Sequence, residues 1–318
     1  MAVATTPVDF RGRRAFADRG FGWLVKAAGV TVLLVLGLIA LTMGNRSRGA
    51  LSAEGLDFFT SKRWAPSQGH FGALAFIYGT VVTAIIALVL AVPVSVGIAL
   101  FTTEIAPPKA KRFLVYTIDL LAVVPSVVFG LWGLLLFSGQ VKGFYDTVHD
   151  LASHVPVLSG VFGIPNGTSL FTAGTILAVM ITPIISSLAR EVISTCPQAD
   201  REGALALGAT KWEMIKGAVL PHSRQGLVGA SMLGLGRAMG ETIAAALVIG
   251  SSPQITQNLF GSGYSMPAVI PNEWGEAEGT WRSALILLAV TLFVMTVVVN
   301  MLAQTVVTRS NKKRMGTH

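Results

Sequence analysis

"CPQADREGALALGATKWEMIKGAVLP", residues 196–221, is a short polar interruption between two long apolar stretches, and it reads as a folded elbow. Pro197 stops the helix before it. Asp200 and Glu202 then place negative charge in the first turn of a new helix, where the helix dipole favours it. Ala204, Leu205 and Leu207 supply an apolar edge, and Gly208 admits the backbone angles of a sharp turn. Trp212, Ile215 and Val219 recur at helical spacing over 210–219, and Pro221 is expected to end that second helix. Two short amphipathic helices on a glycine hinge present an apolar ridge of the kind that meets a partner or a membrane surface.

What flanks the elbow decides its setting. The 318 residues are 52% hydrophobic and 13% charged, against about 25% charged in soluble domains. Six apolar segments, 24–43, 73–101, 113–137, 171–189, 225–250 and 283–306, are long enough to span hydrocarbon as helices. The expected fold is therefore an all-α polytopic membrane protein with six transmembrane helices. Pro93, Pro125 and Pro183 fall inside these segments, where proline is tolerated if neighbours re-satisfy the freed carbonyl. The first segment reads as a retained anchor, because no small-x-small cleavage site follows it at Leu41-Thr42-Met43.

The basic residues orient the chain. One side holds Arg11, Arg13, Arg14, Arg19 and Lys26, then Lys109, Lys111 and Arg112, then Arg190, Arg201, Lys211, Lys216 and Arg224, then Arg309, Lys312, Lys313 and Arg314. The other holds only Arg46, Arg48, Lys62, Arg63, Lys142 and Arg282. The positive-inside rule puts both termini and the elbow in the cytoplasm. Topology thus accounts for the net charge of +8, and no nucleic-acid partner is expected.

Within 225–250, Arg237 and Glu241 stand four residues apart and share one face of a helix. A charge near the bilayer centre costs ~2.5–3.5 kcal/mol on insertion scales. Arg237 lies roughly 18 Å of helix from either end of the segment. Two readings coexist. The pair holds helices in register, or Arg237 offers its planar, permanently charged fork to a passing anion while Glu241 restrains it. Gly236 and Gly240 form a small-xxx-small seam beside the pair, where another backbone is expected to approach. Asp119 is a third charge in the apolar segments and is expected either to pair with a basic residue at the inner rim or to cap packing. Ser126, just past the Pro125 kink, is a further candidate to line a path.

Other chemistry is poorly supported. Residues 203–208 have Walker A glycine spacing, but Ala209-Thr210 replaces its Lys-Ser/Thr, and 234–240 misses the dinucleotide fingerprint by one residue. No cofactor or catalytic residue is expected. The loop 251–282 carries Glu273, Glu276 and Glu278 with Trp274 and Trp281; without a nearby histidine it reads as a solvated charge cluster in an aromatic belt rather than a metal site. Cys196 is the single cysteine and is expected to be a small buried filler.

Glu202, Ala204, Gly208, Leu220 and Pro221 resemble the E-A-A-x3-G-x9-I-x-L-P signature of binding-protein-dependent ABC importer permeases, with Gly203 and Ala218 as departures. Together with "VPSVVFGLWG" (124–133) and "GLGRAMGET" (234–242), the stretch is similar to the permeases of phosphate importers within that family. The resemblance implies a type I importer core (MetI-like). It implies ATP-driven phosphate import by alternating access, with ATP hydrolysed by a separate subunit. The implied partners are a homologous permease subunit in a heterodimer, two ATP-binding subunits and an extracytoplasmic phosphate-binding protein, in a bacterial plasma membrane. It also implies that Arg237 and Glu241 serve phosphate translocation, and that Glu202, Ala204, Leu207, Gly208, Trp212 and Pro221 belong to the ATPase-coupling loop. The expected organisation is a basic N-terminus, first helix and outer segment (1–70), a permease core (71–308) with its coupling loop at 190–224, and a basic tail (309–318). Another anion, such as sulfate or molybdate, and a secondary transporter that needs no ATPase remain as alternatives.

Overall fold

A computed structural model describes the backbone of residues 14–315; Arg11 and Arg13, and the side chains of Arg14, Arg19, Arg309, Lys312, Lys313 and Arg314, lie outside the described part. The main helices are α1 (Arg14–Arg46), α2 (Leu74–Leu100), α3 (Pro108–Val123), α4 (Ser126–Trp132), α5 (Leu170–Ser194), α6 (Gln198–Ala206), α7 (Leu220–Gly240), α8 (Ile243–Val248), α9 (Met266–Trp274) and α10 (Gly279–Met315). The only β-structure among the described residues is one antiparallel pair, Trp64–Ala65 against His70–Phe71. Helices dominate because a chain in lipid must satisfy its backbone hydrogen bonds within each segment.

Five described helices are long and apolar enough to cross a membrane: Gly20–Arg46, Leu74–Ile105, Ser126–Ser153, Leu170–Ser194 and Gly279–Thr305. The expected third crossing, 113–137, is displaced along the chain. Val124 is extended (ψ 125°) before Pro125, so α3 ends at Val123 and the spanning helix starts at Ser126 and runs on to Ser153. This is the restriction that proline imposes on its predecessor.

The expected fifth crossing, 225–250, is not one helix. α7 stops at Gly240, Glu241 turns extended (ψ 122°), and the short α8 follows. A further correction concerns Pro221, which does not end the elbow's second helix. Residues 211–214 pass through a π-turn, Ile215–Val219, into α7. The wider turn accommodates the carbonyl that a proline nitrogen leaves unbonded.

α5 lies at the centre, with α2 and α7 packed along it. A methyl on Gly174 would strike Ile86 of α2, and one on Gly234 would strike Ile185 of α5. Gly226 sits equally close to Val192. The small-residue seam of α7 is therefore Gly226 and Gly234; nothing lies within 4 Å of a methyl placed on Gly236 or Gly240. The two interrupted crossings meet each other. Gly130 of α4 packs on Ala244 of α8, and Gly133 on Val248, so the two segments run in the same direction.

At the end of the bundle opposite the elbow, Tyr145 stacks on Phe260 at 4.2 Å, with Phe171 edge-on to both. Glu273 of α9 is half-buried rather than solvated. Its Oε2 accepts from the indole nitrogens of Trp64 (2.9 Å) and Trp281 (3.0 Å). Burial pushes this carboxyl up, and the two indole hydrogen bonds pull partly the other way. The loop before α2 and the start of α10 are thus fastened to one acid.

Candidate functional site

The elbow has the hinge that the sequence calls for. α6 ends at Ala206, Gly208 takes φ +85°, and Thr210 caps the next helix. Thr210 Oγ1 accepts from the Glu213 backbone, and the Glu213 carboxylate accepts from the Thr210 N–H at 2.8 Å, a reciprocal capping box. The Thr210 N–H and its hydroxyl, which donates to Glu213 Oε2 at 2.7 Å, hold the Glu213 carboxyl below its ordinary value. Leu207 is 91% exposed and Trp212 56%, so two large apolar side chains flank the hinge at the surface, with the Lys216 ammonium 4.9 Å over the Trp212 ring. Glu202 accepts from Gln198 on the same helix. Ala204 points inward instead, against a small core of Ile193, Cys196, Met214, Ile215 and Val219. Pro221 faces an apolar cleft between α2 and α7. Cys196 is buried, and its thiol is pushed up chiefly by that burial.

One residue fixes the elbow to the bundle. Arg201 donates from Nη1 to the Cys196 carbonyl (2.9 Å), and from Nη2 to the Ile193 carbonyl (2.9 Å) and to Glu104 Oε1 (3.0 Å). Both ionic side chains are largely buried. Glu104 lies in a π-turn, Phe101–Ile105, that extends α2. A second pair sits on the same side, Arg190 Nη2 to Asp119 Oδ1 at 3.5 Å, which gives Asp119 the basic partner expected for it. Sequence reading did not single out Arg201 with Glu104. Its available signal was an acid placed just after an apolar run and an arginine in an acidic helix start.

A cavity of about 740 Å³ opens beside α7. Gln225, Gly229 and Arg237 line it from α7, and Thr296, Asn300 and Gln304 from α10. Arg237 is exposed in the isolated chain, and no acid among the described residues comes within 4 Å of its guanidinium. The ion pair with Glu241 is absent because the break at Glu241 destroys the one-face geometry. Glu241 Oε1 instead lies 3.5 Å from the Ala244 N–H, at the start of α8. Neither Glu241 nor Ser126 lines this cavity. Ser126 opens α4, the helix that packs on α8. The arrangement leaves a permanent cation facing an open space, with hydrogen-bonding side chains on the same wall and no nucleophile or base to react with a bound molecule. Among the described residues there is also no His, Cys, Asp and Glu grouping able to hold a metal.

Comparison with known proteins assigns this architecture. Residues 76–312 match the binding-protein-dependent transport system inner membrane component. The chain belongs to that family. Among its relatives, the phosphate transport system permease protein PstC of Xylella fastidiosa strain Temecula1 is 43% identical over 97% of this chain and 96% of the relative. PstC of Haemophilus influenzae is 42% identical over 90% of each chain. PstC 2 of Mycobacterium tuberculosis is 39% identical over 95% of each. Two solved transporters share the fold. One imports the acidic polysaccharide alginate (TM-score 0.57, 16% identity, 93% of this chain and 99% of that one). The other is the inward-facing MetNI methionine ABC transporter (TM-score 0.54, 14% identity, 78% and 99%). The family member described here is a multi-pass inner-membrane permease within an ABC transporter complex, and ATP hydrolysis belongs to a separate subunit type.

Proposed function

We propose that this chain is the channel-forming permease subunit of an ATP-driven importer of inorganic phosphate. Its relatives, named as phosphate transport permeases and matched over nearly the whole chain, support that cargo. The observation that carries the site is the Arg237 guanidinium in the cavity wall of α7, with no acid among the described residues paired to it. A planar, permanently charged fork suits a phosphate oxyanion. The broken helix moves Glu241 off that face, so Arg237 is free to meet the anion rather than being neutralised in advance. Glu241 acts at the break itself, beside the start of α8.

The elbow end faces the cytoplasm, in keeping with the bias of basic residues in the sequence. Leu207 and Trp212, on either side of Gly208, enter a groove on the ATP-binding subunit, and Glu202, Ala204 and Pro221 keep that segment folded. A related permease subunit completes the path, two ATP-binding subunits drive it, and an external phosphate-binding protein loads it. ATP-driven closure displaces the elbow, and the bundle alternates between outward and inward access. Replacing Arg237 by Gln in the assembled complex tests the reading: phosphate uptake falls by about tenfold or more with subunit yield unchanged. Unaltered uptake would overturn it. Competition by sulfate or molybdate as effective as that by phosphate would reassign the cargo.

A further inference from the structure

A cleft of about 400 Å³ runs between α2 and α7, on the face of α7 next to the Arg237 cavity. Val92 and Val96 of α2 and Leu227 and Val228 of α7 give it apolar walls, and Lys216 and Arg224 stand at its elbow end. Both cations are exposed, and no carboxylate among the described residues lies within 4 Å of either. The Lys216 ammonium rests 4.9 Å from the centre of the Trp212 ring, a contact that orients the side chain and leaves its charge unneutralised. A groove of similar size, about 420 Å³, lies between α2 and α3 at Ile98 and Leu114, and its wall has no charged residue. The two cations are therefore particular to the α2/α7 cleft.

We propose that this cleft holds one anionic phospholipid from the leaflet at the elbow end. Its phosphodiester sits between Lys216 and Arg224, and an acyl chain lies along the valines and Leu227. From Lys216 to Val228 is twelve residues, roughly 18 Å of helix. One leaflet with its headgroups is about 20–22 Å deep, so cations and apolar wall fall at the depths of headgroup and chain. Charge selects the occupant. An inorganic anion leaves the apolar walls bare, and a zwitterionic lipid brings its own cation to two basic side chains. A basic pocket between spanning helices on the cytoplasmic side suits an anionic headgroup. Arg224 offers a planar fork to two phosphate oxygens, and Lys216 a compact point charge. Because Lys216 also touches Trp212, the bound headgroup braces the elbow's second helix at the membrane surface. The proposal takes from the proposed function only the elbow's place at the cytoplasmic face.

The test uses the assembled transporter in phosphatidylcholine nanodiscs that contain a phosphatidylglycerol with a diazirine in its acyl chain. Cross-linked peptides are read by mass spectrometry. The peptides that carry Val92 and Val96, and Leu227 and Val228, take this probe about tenfold more than a phosphatidylcholine probe with the same chain. Lys216→Gln or Arg224→Gln alone lowers that labelling about fivefold, and the two together remove the preference. Lys216→Arg with Arg224→Lys keeps it. The groove at Ile98 and Leu114 is the internal control, labelled equally by both probes in every variant. Equal labelling of the cleft by the two probes, a preference that survives both glutamines, or a cleft left unlabelled because another subunit covers it would overturn the proposal. So would loss of labelling to millimolar inorganic phosphate, which would reassign the two cations to the free anion. Labelling is read without transport, so it is independent of the Arg237→Gln result. An unlabelled cleft with uptake lost in Arg237→Gln defeats only the lipid site, whereas a selectively labelled cleft with full uptake in Arg237→Gln defeats only the role of the guanidinium.

Discussion

Arg201 and Glu104, 97 positions apart in the chain, are joined by a 3.0 Å charge-assisted hydrogen bond that ties the elbow to the end of the second spanning helix. The same guanidinium holds two carbonyls at the C-terminal end of α5 and just beyond it, so one side chain gathers three segments. Arg201→Met leaves the Glu104 carboxylate buried without its partner, a change that costs about 3–5 kcal/mol. Glu104→Gln keeps an acceptor and costs less, about 1–3 kcal/mol. Thermal unfolding of the purified complex checks the order. Phosphate moved per ATP hydrolysed falls in both variants; a ratio equal to the parent's would show that this tie takes no part in transmitting the stroke.

Close packing predicts a second effect. A methyl on Gly79 of α2 would overlap the backbone carbonyl of Tyr264, a neighbour that cannot rotate away. Gly79→Ala therefore destabilises the chain by about 1–3 kcal/mol, as overpacking does. Gly139→Ala is the control, since nothing lies within 4 Å of the added methyl. It stabilises by about 0.4–1 kcal/mol through the unfolded state. Melting temperatures that move in opposite directions meet the expectation, and equal shifts contradict it.

Glu273 gives the fold a dependence on pH. Burial raises its carboxyl above the ordinary value of about 4.3. In the window between those two values the folded chain keeps a proton that the unfolded chain has released. Stability is greatest below that window and falls as pH rises through it. Glu273→Gln retains an oxygen for both indoles and removes the titration. Its melting temperature matches the parent's near pH 4 and exceeds it near pH 7, whereas a gap independent of pH would contradict the assignment. Glu273→Leu leaves the Trp64 and Trp281 N–H groups without their acceptor and costs about 2–3 kcal/mol near pH 4, and less near pH 7 because it too removes the titration.

The elbow was readable because its instructions are local. A glycine at a positive φ, a threonine cap and an acid three residues on specify their own backbone. The apolar segments reported the solvent of the chain, and that reading gives the family's membrane architecture. They did not report continuity. Leu, Val and Ala suit lipid equally well on either side of a break, so 225–250 looked like one helix although Glu241 interrupts it. The clues were present in polar residues, Glu241-Thr242 after Gly240 and Val124 before Pro125, which favour caps and extended backbone. The pairing of Arg237 with Glu241 failed for the same reason, since spacing implies a shared face only along an unbroken helix. Arg201 with Glu104, and Glu273 with two tryptophans, join residues far apart in sequence, and no local pattern announces them.

The π-turn at 215–219 keeps Trp212 and Arg237 on a single uninterrupted rod where a stop at Pro221 would have disconnected them. About 38 Å separates the two positions along that rod. It is a lever with its handle at Trp212 and its tip at Arg237, in the cavity wall. A tilt of about 10° at the handle sweeps the tip sideways by roughly 6 Å. A small tilt at the elbow is thereby carried through the rod as a larger sideways displacement of the Arg237 position.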